Sequence, residues 1–225
     1  MMTDGAPRNL ADARSHGYAT AAEYAAARRS ELHAALAIAG VGSSSLVTMD
    51  LPDQEVARNL TDAAHRMAEI FEALDTHVAV THAYEGGHPD HDATAFVVHA
   101  ARELVVRRGR SLTLLEMPYY RSDGPRTALQ SFIPEPDSSV VVIPLTPPEQ
   151  DLKQRMLAAH NSQAAIVSQF DTGRERFRLA LPQDFCAPAN GGELLYERHP
   201  WGLTGREWQM LAASATTSLG LTVPF

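Results

Sequence analysis

Strand-like and helix-like segments alternate along the middle of this chain. Glycine and proline punctuate the joins, and a cluster of histidines and carboxylates follows directly on one apolar segment. These three features predict an α/β layered fold with a mainly parallel sheet. In such sheets ligands bind outside the carboxyl ends of strands, so the cluster occupies the expected address for chemistry.

The first twenty residues are polar and read as a loop. Residues 21–39, "AAEYAAARRSELHAALAIA", are strong helix formers without Gly or Pro, and Gly40 and Gly42 end them. "SSLVTMD" is a short strand candidate before the Pro52–Asp53 turn. From Ala57 to Leu74 the residues Leu60, Ala64, Met67, Phe71 and Leu74 recur at spacings of three and four, which is one helical stripe. "HVAVTH" reads as a short buried strand. A third helix is expected over about 92–108, with Asp90 a good cap for it. "SLTLLEM" and "SSVVVIPL" are further strands. Pro147 and Pro148 open a helix expected to run to about Ser168. A Pro/Gly-rich stretch, "LPQDFCAPANGGE", leads to a last helix near 204–218.

A length of 225 residues fits one large domain, or a domain with an appended subdomain. With 44% hydrophobic and 20% charged residues the chain can bury a core. Its 19 basic against 27 acidic residues give a formal charge of −8, which argues against nucleic-acid partners and against anionic membrane surfaces. No apolar run approaches the ~20 residues that span a bilayer, and "MMTDGAPRNLADARSHGY" contains no signal-peptide core. The expected setting is cytoplasmic. Cys186 is the only cysteine, so internal disulfides and four-cysteine zinc clusters are excluded. Any metal must be held by His and carboxylate ligands.

The segment "THAYEGGHPDHDATAF", residues 81–96, gathers His82, Glu85, His88, Asp90, His91 and Asp92 around Gly86 and Gly87. One reading is a polar turn that caps a helix. The other is half of a hydrolytic metal site, which wants three protein ligands and an open position for water. Imidazole and carboxylate suit zinc and its neighbours. The glycines permit a sharp turn and close approach of a substrate to the backbone.

"EGGHPDHDA" resembles the second motif of the PIG-L/LmbE family of metal-dependent deacetylases. "TDGAPRN" resembles the loop after that family's second strand, "RRSEL" its Arg-x-x-Glu helix, "LPDQE" its Pro-Asp turn, and "KQRMLAAHNSQ" its Lys…His-x-Ser-Gln helix. The matches run in family order across roughly residues 3–170. The resemblance implies a Rossmann-like layered fold and removal of acetyl from an N-acetylglucosaminyl or related amide substrate. It implies Zn2+ or another divalent metal as cofactor. It makes His91 a metal ligand and His88 the catalytic histidine, oriented by Asp90. A His–Asp pair suits that role because the carboxylate fixes the tautomer. Arg28 and Asp53 would face the sugar, although an Arg on an Ala-rich helix is ordinarily solvated and an Asp after Pro ordinarily makes a turn.

The family's first motif, His-Pro-Asp-Asp-Glu, does not occur in these residues. It normally supplies two metal ligands and the general base. The expectation is one deacetylase domain over 1–225, incomplete at its N-terminus, with about 170–225 packing on it as an extension. A misassigned start ranks first as the cause. A non-catalytic sugar- or partner-binding relic ranks second. A substitute metal site drawing on His82, Glu85, Asp92 or a residue from another chain ranks last. A sheet lacking central strands would leave backbone groups and apolar surface uncovered. His99 is expected as a satisfied core residue, and His160 as a lesser candidate for the site. Trp201 and Trp208 are expected to pack the last helix, with a sugar-stacking wall as the alternative.

Overall fold

The computed structural model describes residues 1–135 and 138–225. In chain order it forms α1 (Ala11–Ser15), α2 (Ala21–Ile38), α3 (Leu60–Ala73), β1 (Val78–His82) and α4 (Pro89–Arg107). Then come β2 (Thr113–Met117), β3 (Tyr120–Asp123), β4 (Arg126–Leu129), β5 (Val140–Pro144) and α5 (Pro147–Ala158). The chain ends with α6 (Ala164–Val167), β6 (Arg174–Leu179) and α7 (Gly205–Ser218). A four-stranded sheet has the order β1-β2-β6-β5, and β3-β4 forms a separate hairpin. β1 and β2 are parallel, with Val80 opposite Leu115, whereas β6 runs antiparallel to β2, with Arg178 opposite Glu116. The fold is α/β with a mixed sheet.

The chain divides into two compact units, Met1–Asp53 with Val142–Glu175, and Gln54–Val141 with Arg176–Phe225. In the first, α2 begins in a capping box: Thr20 Oγ1 accepts from Glu23 N, and the Glu23 carboxylate accepts from Thr20 N. Tyr24, Ala13 and Ala6 make its small core. α2 packs against α5. Two of the sequence motifs meet here, since the Glu31 carboxylate accepts from Ser162 N and Oγ at 2.9 and 2.6 Å, and Gln163 Nε2 donates to the Tyr24 hydroxyl at 3.1 Å.

In the second unit α3 and α7 pack with each other, and α4 packs against α3 and β1. The core carries Phe96, Phe185, Tyr196 and Trp208 from these elements and from the segments between them. Residues 176–225 are thus integral to this unit's core. Trp208 is 1% exposed, and its Nε1 donates to the Phe185 carbonyl at 3.0 Å. His99 is buried as expected, its ring lying 3.3 Å from the Phe225 carbonyl and 3.4 Å from Glu116.

Several local expectations are corrected. Residues 44–50 form no strand. They run beside the N-terminus through Met49 N to Met1 O, Leu51 N to Met2 O and Asp4 N to Leu51 O, with one bridge, Thr3 to Leu51. Residues 56–59 are 3-10 turns ahead of α3. α4 starts at Pro89, not near 92, because Pro is pre-organised for the first helical turn and His88 supplies the cap. The proline-initiated helix stops at Ala158, with a 3-10 turn at Asn161–Gln163 before α6, because Ser162 and Gln163 are engaged by Glu31 and Tyr24. The β3-β4 hairpin and β6 carry no strong apolar alternation and escaped the reading. The hairpin's signal was Gly124-Pro125, a two-residue loop with Gly124 at φ +56°.

"HVAVTH" is a strand, but not a buried one. Val78 and Val80 are 56% and 50% exposed. They share a face with Leu115 across the register, whose other neighbour, Leu179, is 62% exposed. The opposite face, with Thr81, Leu114 and Glu116, is buried. Among the described residues no strand pairs with the outer edge of β1.

Candidate functional site

The site is built where β1 runs into α4. Asp92 Oδ1 accepts from Glu85 N at 3.2 Å and Gly86 N at 3.1 Å, so a side chain in the helix's first turn closes the loop in front of it. Gly86 sits at φ +71°, a left-handed conformation that disfavours other residues. His88 is the N-cap of α4, and its Nδ1 accepts from Asp90 N at 3.1 Å. With that nitrogen as acceptor, the neutral ring carries its proton on Nε2. The Asp90 carboxylate accepts from the backbone of Gln54 at 2.6 Å and Val56 at 3.2 Å, anchoring the chain ahead of α3.

Three imidazoles converge. The His82 and His91 rings stack 4.4 Å apart with an 11° tilt, and the His88 ring lies 5.1 Å from that of His91. Aromatic side chains surround them. Tyr119 and Tyr120 approach His91 edge-on at 4.8 and 5.1 Å, and Trp201 lies 4.7 Å from His88 while stacking on His199. Trp201, expected to pack the last helix with a sugar-stacking wall as the alternative, lies instead beside His88, and the two tyrosines, which come from the junction of β2 and β3, carry no motif in the sequence.

Burial governs the electrostatics. Loss of water lowers the His82 pKa to about 4 and holds His91 well below the ordinary histidine value, with His82 and His88 adding repulsion at His91. Both rings are therefore neutral, electron-pair donors at neutral pH. Burial raises Glu85 to about 8, against a hydrogen bond from Tyr119 N, and raises Asp92 to about 7. Buried atoms without hydrogen-bond partners cluster here: His82 Nδ1, His91 Nδ1, Glu85 Oε2 and Asp92 Oδ2.

Those orphaned nitrogens are the right donor type for zinc. Yet among the described residues no three His, Cys, Asp or Glu side chains are arranged to hold a metal ion. Residues 81–92 by themselves do not fit a complete metal centre.

The other two predicted residues lie in the first unit. Arg28 donates to the Gly5 carbonyl at 2.9 Å and sits 5.8 Å over the Tyr24 ring. The Asp53 carboxylate accepts from Thr3 Oγ1 at 3.2 Å. Burial raises the Asp53 pKa, opposed by Arg28 and Thr3 and reinforced by Asp4 and Asp12. His160 lies near Glu31 and Arg28, with burial lowering its pKa. The predicted residues thus form two groups: Arg28 and Asp53 in one unit, His88, Asp90 and His91 in the other.

Comparison with known proteins now identifies this architecture. The model of the family described as PIG-L: GlcNAc-PI de-N-acetylase matches residues 1–102. That stretch contains the histidine turn. Three solved structures share the fold. A deacetylase from the teicoplanin biosynthesis pathway, solved as its bog complex, is 16% identical over 80% of this chain and 84% of its own, with a TM-score of 0.59. The A40926 pseudoaglycone deacetylase is 17% identical over 79% and 81%, with a TM-score of 0.53. A zinc-inhibited form of teicoplanin deacetylase is 14% identical over 79% and 84%, with a TM-score of 0.56. No curated protein matches the chain by sequence. No helix among the described residues is long and apolar enough to cross a membrane.

Proposed function

We propose that this chain is a metal-dependent N-deacetylase, a hydrolase that removes acetyl from an N-acetylated sugar or related amide. The observation that carries the reading is the cap of α4: His88, whose Nδ1 accepts from Asp90 N, beside a desolvated His91 with an unpartnered Nδ1. In this role His91 is a ligand of Zn2+ or a similar divalent ion. His88 steadies the oxyanion through its Nε2–H, and a ring protonated on both nitrogens would be the form able to give a proton to the leaving amine. Asp90 orients His88 through its backbone N–H, and Arg28 and Asp53 are the residues proposed to meet the sugar.

The bare face and outer edge of β1 could take a further strand, which would carry the remaining ligands and the base. Intact mass of the protein from its source cells tests this, because a βαβ unit adds at least ~30 residues. In the active form, turnover of an N-acetylglucosaminyl substrate is expected to vanish with chelator and return with zinc. His91→Ala loses metal binding and turnover together, while His88→Ala keeps the metal and loses most of the rate. Turnover retained by His91→Ala rejects the ligand assignment.

A second reading, a non-catalytic sugar- or partner-binding protein on the same scaffold, is favoured by the incomplete donor set among the described residues. A mass matching 225 residues, with sugar binding indifferent to chelator and zinc, selects it.

A further inference from the structure

The glycine pair and the glutamate before it have a use that the histidines do not account for. Glu85 Oε1 accepts from Tyr119 N at 2.7 Å, and the Glu85 carboxyl is 1% exposed as a residue. A Cβ on Gly87 would stand 1.9 Å from the Tyr120 carbonyl oxygen, so the space beside Gly87 is filled by the tyrosine backbone and is not left for a ligand. Gly86 meets a different neighbour: a Cβ there would lie 2.9 Å from Leu194, and its carbonyl accepts from Leu195 N at 2.8 Å. The Tyr119 carbonyl is in turn held by Gln130 N at 2.8 Å, at the base of the β3-β4 hairpin.

We propose that Glu85 and Gly87 form a clasp on the Tyr119–Tyr120 backbone that sets the two phenol rings as the wall of His91, making Glu85 a positioning residue of the histidine site. The inference deepens the assignment of His91 and rests on it only for its catalytic meaning, since the clasp is a matter of geometry. Glu85 acts as a hydrogen-bond acceptor, taking the Tyr119 N–H with the Tyr120 N–H also bearing on its carboxylate, so an amide oxygen can replace the carboxyl oxygen. Gly87 acts by lacking a side chain, so no residue can replace it without moving Tyr120. Both rings contact His91, and Tyr119 also meets His82 at 5.2 Å.

The test is solution NMR of the full chain without metal or substrate, following the His91 ring protons, protection of the Tyr119 amide from exchange, and the Trp208 indole N–H as a reporter of the core. Glu85→Ala is expected to shift the His91 ring protons, which lose the ring currents of the tyrosines, and to expose the Tyr119 amide, with Trp208 in place. Glu85→Gln restores both signals. Should Glu85→Ala fail to fold, Glu85→Asp, one methylene too short to reach Tyr119 N, gives the same reading. His91 signals that stay put when the Tyr119 amide is freed overturn the proposal. So does failure of Glu85→Gln to restore them, or a fall in melting temperature as the sole effect. None of these outcomes depends on turnover, so absence of deacetylation would reject the enzyme and leave the clasp standing.

Discussion

Glu85 illustrates how one side chain couples the site to stability. Its pKa in the fold, about 8, lies above its ordinary value because burial penalises the charge. Between about 4.5 and 8 the unfolded chain has released this proton and the folded one retains it. Stability contributed by the neutral form is therefore complete below the ordinary value, falls as pH rises through that window, and is level above it. Glu85→Gln, neutral throughout, is expected to flatten the fall. A residual slope of the same sign should remain from Asp92, whose pKa is raised to about 7. Urea unfolding at several pH values across the window checks this, and an unchanged slope in Glu85→Gln rejects it. The glutamate, the aspartates and the histidines were all picked out by their spacing. The tyrosines were not, because their relation to His91 runs across 28 residues and depends on where β2 ends.

Helix ends carry much of the local specification. α7 opens in a capping box in which Thr204 Oγ1 accepts from Glu207 N at 3.2 Å, and the Glu207 carboxylate accepts from Thr204 N at 2.9 Å. Thr204→Ala is expected to cost about 1 kcal/mol in a denaturant titration. A loss below a few tenths would mean that packing of Trp208 and Ala212, and not the cap, holds the helix. α4 has a different cap, a histidine, which costs the sequence reader the correct start but gives the protein a functional ring in a fixed orientation. The strands show the complementary failure. β1, β2 and β5 were legible as runs of β-branched and apolar residues, whereas β6, "RERFRL", looks like a charged loop. It becomes a strand because Arg178 finds Glu116 at 2.7 Å on the sheet's buried face.

In the unit that bears the histidines, one face of the sheet is covered and the other is not. An outer edge without a partner strand and an apolar face carrying Val78, Val80 and Leu179 form a surface that favours association. The 225-residue chain is expected to self-associate as its concentration rises. Val78→Lys with Val80→Lys should suppress that association and change stability by no more than about 0.5 kcal/mol each. Light scattering and unfolding curves measure the two effects. A large destabilisation would mean that these valines are buried in the working protein.

Local chemistry settled a good deal in advance. Helix formers between glycines placed α2, a stripe at spacings of three and four placed α3, and a proline pair placed α5, because each depends on neighbours within a turn or two. The His-Pro-Asp-His spacing likewise brought His88 and His91 together on the first turn of one helix. The rest required distant residues to meet. That His82 stacks on His91, that Glu85 holds the Tyr119 backbone, that Gly87 makes room for Tyr120, and that β1 leaves one face bare are all consequences of packing between segments far apart in the chain. Burial, which sets the protonation of the histidines and carboxyls, exists only once those segments have come together.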